Sequence, residues 1–127
     1  MDLIEILRED YRRFPADQHY ECYAEDVLFK DPLTQFRGRE RYRQMIQFIG
    51  FWFKQPRIEL HDIQQTGAQI RTEWTLSWLA PLPWRPAIAV RGWSELQLDV
   101  QGLICSHIDY WSCSRLNVLQ QHLRIHK

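Results

Sequence analysis

Glycine is scarce in this chain, five in 127 residues, and no two stand in the spacing of a phosphate-cradling loop. The GxSxG elbow, the HExxH helix and the paired CxxC are absent as well. Neither charge is in excess, since Lys+Arg and Asp+Glu both number 16. A nucleic-acid binder needs a basic face, and the densest basic stretch, "RGRERYR" at 37–43, reads as the solvated side of a helix start. No stretch approaches the ~18 uninterrupted apolar residues of a membrane span. The beginning, "MDLIEILRED", is acidic and amphipathic and lacks the basic head of a signal peptide. Three cysteines (Cys22, Cys105, Cys113) are an odd number at unrelated spacings. They read as reduced thiols of a cytoplasmic protein.

What the chain does have is apolar patterning and tryptophan. It is 45% hydrophobic and 25% charged, which is globular, and its length suits one domain, 1–127. Leu3, Ile4, Leu7, Tyr11 and Phe14 recur at helical spacing, and Pro15 ends that stripe. Tyr20, Tyr23, Ala24 and Val27 predict a second helix, followed by a short extended piece, "VLFKDP", cut off at Pro32. Tyr42, Met45, Ile46, Ile49 and Phe53 predict a third helix over 39–53. The period then changes to two. Strands are expected at 57–67, 70–78, 88–98 and 103–111, with a short terminal helix carried by Leu116, Leu119 and Leu123. Helices followed by a run of strands joined by turns predict an α+β domain, with three N-terminal helices covering one face of an antiparallel meander.

Candidate chemistry lies where polar residues fall on apolar lines. In "FKDPLTQFRG" (29–38), Asp31 is either a turn residue accepting backbone amides or a carboxylate at the edge of a pocket. Tyr11 shares the first stripe with Leu7 and Phe14. Ser94 shares a strand face with Val90, Leu96 and Leu98. Trp74 and Trp78 stand on an inward line, as core or as pocket walls favouring a flat or ring-shaped ligand. Trp84 and Trp93, in a loop and on the opposite strand face, suit a dimer contact better. In the last strand, "LICSHIDYW", Cys105, His107, Asp109 and Trp111 take one side and Ile104, Ser106, Ile108 and Tyr110 the other. Either the isoleucine side is the core and His107 and Asp109 lie on the surface, or both faces are covered. His122 and His126 have the i,i+4 spacing of two metal ligands, but no third ligand is in view and no metal is expected.

"YAEDVLFKDPLTQFRGRERYRQMI", "RTEWTLSW" and "RGWSELQLDVQGLICSHIDYW" together resemble the nuclear transport factor 2-like superfamily, in its SnoaL-like and ketosteroid isomerase-like branch. They are similar also to an uncharacterised family of cyanobacteria and plants with the same "FkDP…G" and "G.SE..LD..G.I..H..D" pattern. The likeness spans roughly residues 2–111. It implies a cone-shaped, cystatin-like roll enclosing an apolar pocket, and a homodimer through the outer sheet face. His107, Asp109 and Trp111 would then face the pocket, and Ile104, Ile108 and Tyr110 a partner subunit. Asp31 stands where ketosteroid isomerases carry their base, and Tyr11 matches the tyrosine that donates to the oxyanion. Ser94 departs from the pattern, standing where a second donor is an aspartic acid. Asp109, flanked by His107, stands where SnoaL-like cyclases carry a base. The resemblance thus implies a small apolar, carbonyl-bearing ligand and cofactor-independent isomerisation or cyclisation by acid–base chemistry. A non-catalytic ligand-binding or protein-interaction module is the alternative on the same fold.

Overall fold

The computed structural model describes residues 2–123. Helix α1 (Leu3–Arg13) starts where the Asp2 carboxylate accepts a hydrogen bond from the Glu5 amide at 2.9 Å, an N-cap for the acidic first turn. A one-turn 3-10 segment, Tyr20–Cys22, leads into strand β1 (Tyr23–Lys30) and a short strand β2 (Gln35–Arg37). Helix α2 (Arg39–Trp52) follows Gly38, whose φ of 122° lies where side-chain-bearing residues are strained. Strands β3 (Lys54–Thr66), β4 (Gln69–Leu79), β5 (Ala87–Leu98) and β6 (Ile104–Trp111) come next, then helix α3 (Arg115–Gln121).

The six strands form one sheet in the order β2-β1-β6-β5-β4-β3. The sheet is mixed rather than antiparallel throughout, because β1 runs parallel to β6. Helices α1 and α2 pack over β3 and β1 respectively. Leu7, Phe29, Tyr42, Ile46, Ile70, Leu96 and Ile104 meet there in the main core, with a second cluster around Trp74, Ile88, Val90 and Val118.

Three expectations change. The helix expected through Tyr20, Tyr23, Ala24 and Val27 is a 3-10 turn and a strand. The β1–β6 register shifts between Tyr23 and Leu28, so Glu25 and Asp26 both face solvent between the buried Ala24 and Val27. An irregularity of that kind breaks the period of two and leaves a gap of three, which imitates a helix. The N-terminal half therefore supplies two helices to the sheet.

The second change is in β6. Leu98 pairs with Ile104 but Gln97 pairs with Ser106, which leaves Cys105 as an extra residue. Ile104 thus turns inward and is fully buried, so it offers nothing to a partner on the outer face. Cys105 lies off the His107 side, its thiol donating to the Gln97 carbonyl.

Third, Leu116, Leu119 and Leu123 are exposed. Helix α3 attaches by Val118 and by the Gln121 side chain, whose amide nitrogen donates to the Ala89 carbonyl while its oxygen accepts from the Ala89 amide. That pair of bonds supplies β5 with a ladder partner beyond the point where β6 has ended.

Candidate active site

The inward side chains of the sheet fall into three cross-strand rows. Ile70, Leu96, His107 and Phe29 are successive partners in the first; Thr72, Ser94 and Asp109 in the second; Trp74, Gly92 and Trp111 in the third. The middle row is polar although Thr72 and Ser94 have almost no solvent exposure. Gly92 is needed in the third. A Cβ there would collide with the Tyr110 carbonyl oxygen and stand 3.0 Å from the Trp74 ring, so glycine lets β6 approach and the indole lie across β5. From that position the Trp74 Nε1–H donates to Ser94 Oγ at 2.8 Å.

The Ser94 hydroxyl in turn donates to Asp109 Oδ1 at 2.5 Å. His107 Nε2–H donates to the same oxygen at 2.7 Å. The other ring nitrogen of His107, Nδ1, is buried with no hydrogen-bond partner among the described residues. The ring is wedged among Tyr23, Phe29 and Tyr42, with ring centroids 5.2–6.3 Å away. Asp109 is a carboxylate with one oxygen fixed by two donors.

These groups open onto a cavity of about 140 Å³ between α1, α2 and the sheet. Tyr11, Asp31, Ser94, Trp74, His107, Asp109 and Trp111 all reach its wall. Trp78 does not: it stacks on Phe53 at 4.8 Å beyond the end of α2 and belongs to the second core cluster. Apolar cavities of about 150 Å³ accept a benzene ring, so this one is the size of a single ring rather than a fused system.

Tyr11 approaches from α1, its hydroxyl sharing a 2.7 Å hydrogen bond with Thr72. Burial pushes its ionisation well above the ordinary tyrosine range, partly countered by the Thr72 bond, so it remains a proton donor at neutral pH. Asp31 closes the rim just past β1. Its Oδ1 accepts from the Leu33 and Thr34 amides at 2.8 and 2.7 Å, the Asp-Pro turn reading, while the residue also lines the cavity. Burial raises the Asp31 pKa, the two amides lower it, the charge of Asp109 raises it again and His107 lowers it.

Sequence reasoning missed Asp10, which is 6% exposed and reaches the same cavity from α1. It accepts from the His19 amide at 3.1 Å and from His19 Nδ1 at 2.6 Å. Leu7, Asp10 and Phe14 stand at spacings of three and four, so the helical period would have marked it. Thr72 was equally visible, on the same alternate line as Trp74.

Other expected features lie elsewhere. Trp93 is on the outer face, stacked on Tyr110 at 5.1 Å with the Arg71 guanidinium over its ring. Trp84 donates to the His122 carbonyl within the same chain. His122 Nδ1 bonds the Val118 carbonyl, and His126 lies outside the described residues. Among the described residues no group of three His, Cys, Asp or Glu is placed to hold a metal ion, and no helix is long and apolar enough to cross a membrane.

A family described as "Uncharacterized conserved protein (DUF2358)" matches residues 1–107. The chain belongs to DUF2358. No curated protein matches it. Among solved structures, it is similar to a hypothetical protein with a ketosteroid isomerase-like fold from Catenulispora acidiphila, in complex with trimethylamine. Identity there is 17%, over 93% of this chain and 92% of the other, with a TM-score of 0.76. An NTF2-like protein from Burkholderia thailandensis is 11% identical over 94% and 95%, also with a TM-score of 0.76. A putative polyketide cyclase from Xanthomonas campestris is 19% identical over 94% and 93%, with a TM-score of 0.71. This DUF2358 chain therefore has the NTF2-like, ketosteroid isomerase-like fold.

Proposed function

We propose that this DUF2358 protein binds a small, ring-sized, carbonyl-bearing molecule in the cavity and moves a proton on it without a cofactor, as an isomerase or cyclase would. One observation carries this reading. Asp109, fixed through Oδ1 by Ser94 and His107, faces an apolar cavity that also receives the Tyr11 hydroxyl. In such a site Oδ2 of Asp109 takes the proton next to the carbonyl, and Tyr11 donates to the enolate oxygen that develops. Ser94, whose hydrogen is already given to Asp109, acts by positioning that carboxylate.

Asp31 takes the lesser part, since two amides already occupy its Oδ1. That occupancy also favours the second reading, a pocket that binds without catalysis. Free thiols at Cys22, Cys105 and Cys113 suit a reducing, cytoplasmic setting. Dimerisation would use the outer face around Trp93, Ile108 and Tyr110, and a monomer by light scattering at micromolar concentration would remove it.

Trp74 and Trp111 line the cavity and report its occupancy. Titration with 2-cyclohexenone and other small cyclic ketones is expected to give a saturable change in tryptophan fluorescence. No saturable change across the panel would sink the small-molecule reading.

A further inference from the structure

We infer that the cavity selects a small organic cation, an alkylammonium or quaternary ammonium group carried by its ligand. This rests on the reading that the cavity holds a small molecule, and it adds that molecule's charge.

Three carboxylates line the wall, Asp10, Asp31 and Asp109, and among the described lining residues there is no lysine or arginine. Their partners differ. Asp10 has its own counter-charge in His19. Asp31 is held by two backbone amides and Asp109 by a hydroxyl and a ring N–H. His107 Nε2 stands against Asp109 as His19 Nδ1 stands against Asp10, so among the described residues Asp31 is the lining carboxylate with no side-chain hydrogen-bond partner. Asp31 and Asp109 therefore share one cavity in which His107 is the one basic side chain among the described lining residues, and Asp109 raises the proton affinity of Asp31 while His107 lowers it. Charges withdrawn from water need a partner, and in a weakly screened cavity an opposite charge a few ångströms away is strongly favoured.

The apolar wall fits the same ligand. Tyr11, Tyr42, Trp74 and Trp111 surround the space, and ring faces attract alkylammonium groups while packing their methyls. An anionic ligand would meet two like charges. A neutral one would leave Asp31 uncompensated. A cationic group beside the reacting carbonyl would also stabilise the enolate of the proposed reaction.

The experiment titrates the intact protein with choline and with its neutral isostere, 3,3-dimethylbutan-1-ol, at fixed ionic strength, following tryptophan fluorescence. Choline is expected to bind about tenfold or more tighter than the alcohol. Asp31→Asn and Asp109→Asn should each reduce that ratio, and both should melt as cooperatively as wild type. If Asp109→Asn fails to fold, Asp31→Asn alone decides. Equal affinity for the two probes, or a ratio unchanged in the variants, overturns the inference. Binding of 2-cyclohexenone together with equal choline and alcohol affinities would overturn it while leaving the proposed function standing. Binding of none of the three would remove both.

Discussion

The cavity is touched by two histidine–aspartate pairs, and they are built for different ends. Asp10–His19 joins α1 to the loop that follows it. One carboxylate accepts both the ring N–H and the backbone N–H of the same histidine, at 2.6 and 3.1 Å. Gln18 reinforces the clamp by donating to the Asp10 carbonyl. His107–Asp109 joins no loop. Its carboxylate is gripped from the side by Ser94, which Trp74 grips in turn. The first pair fastens α1 to its loop; the second orients one oxygen and, in the proposed reaction, leaves the other for a ligand. Residue type does not separate them, but the identity of the third partner does. A backbone amide marks a fastening, and a side-chain relay ending at a cavity marks a site for chemistry.

The contrast breaks most visibly at Asp10. Asp10→Ala leaves the His19 amide and ring without their acceptor in a nearly buried place. Chemical denaturation should show a loss of about 1–3 kcal/mol, with the cavity's tryptophan signal retained at temperatures where the variant is folded. A cost indistinguishable from zero would mean that the pair fastens nothing.

A subtler test uses pH. The bond to Asp10 raises the His19 pKa above its ordinary 6.5. The folded state therefore holds that proton more tightly than the unfolded chain. The resulting stability is fully present below about 6.5 and is lost as pH rises through the folded value. Melting temperature should fall across that window in wild type and stay flat in His19→Gln. The same fall in both would assign it to another group.

Asp31→Asn should do least. Asparagine keeps the oxygen that the Leu33 and Thr34 amides require and sheds a carboxylate that burial disfavours. Stability at neutral pH should stay within about 1 kcal/mol of wild type, on the favourable side. Because the folded pKa is raised, any gain should vanish below the ordinary 3.8 of an unfolded aspartate, where both side chains are neutral. A loss well beyond that range would show that the charge itself holds the turn.

Much of this architecture was legible in the chain. The alternation Ile70, Thr72, Trp74 and the line Val90, Ser94, Leu96 marked the inward faces of β4 and β5, because strands with one buried face keep a strict period of two. Two of the misread places share one cause. At Ala24–Val27 and at Cys105 a strand carries an irregularity, and the apolar count slips by a residue. Periodicity read along one strand cannot see that slip, because it is defined by the neighbouring strand's register. The site was half visible for a similar reason. Tyr11, Ser94, His107 and Asp109 stood out as polar residues on candidate inward faces. That Ser94 and His107 meet on one oxygen of Asp109 depends on pairing between β5 and β6. Trp78 had the inward period of Trp74 but lies past the cavity, where Phe53 takes it up.

The most direct test of Asp109 as the proton acceptor is exchange of the α-protons of 2-cyclohexenone in D₂O, followed by proton NMR with wild type and Asp109→Asn. The account predicts exchange above the buffer rate with wild type, reduced by about 10²–10⁴-fold in the variant, with both proteins folded. Exchange no faster than buffer with wild type, or equal rates with the two proteins, would contradict it.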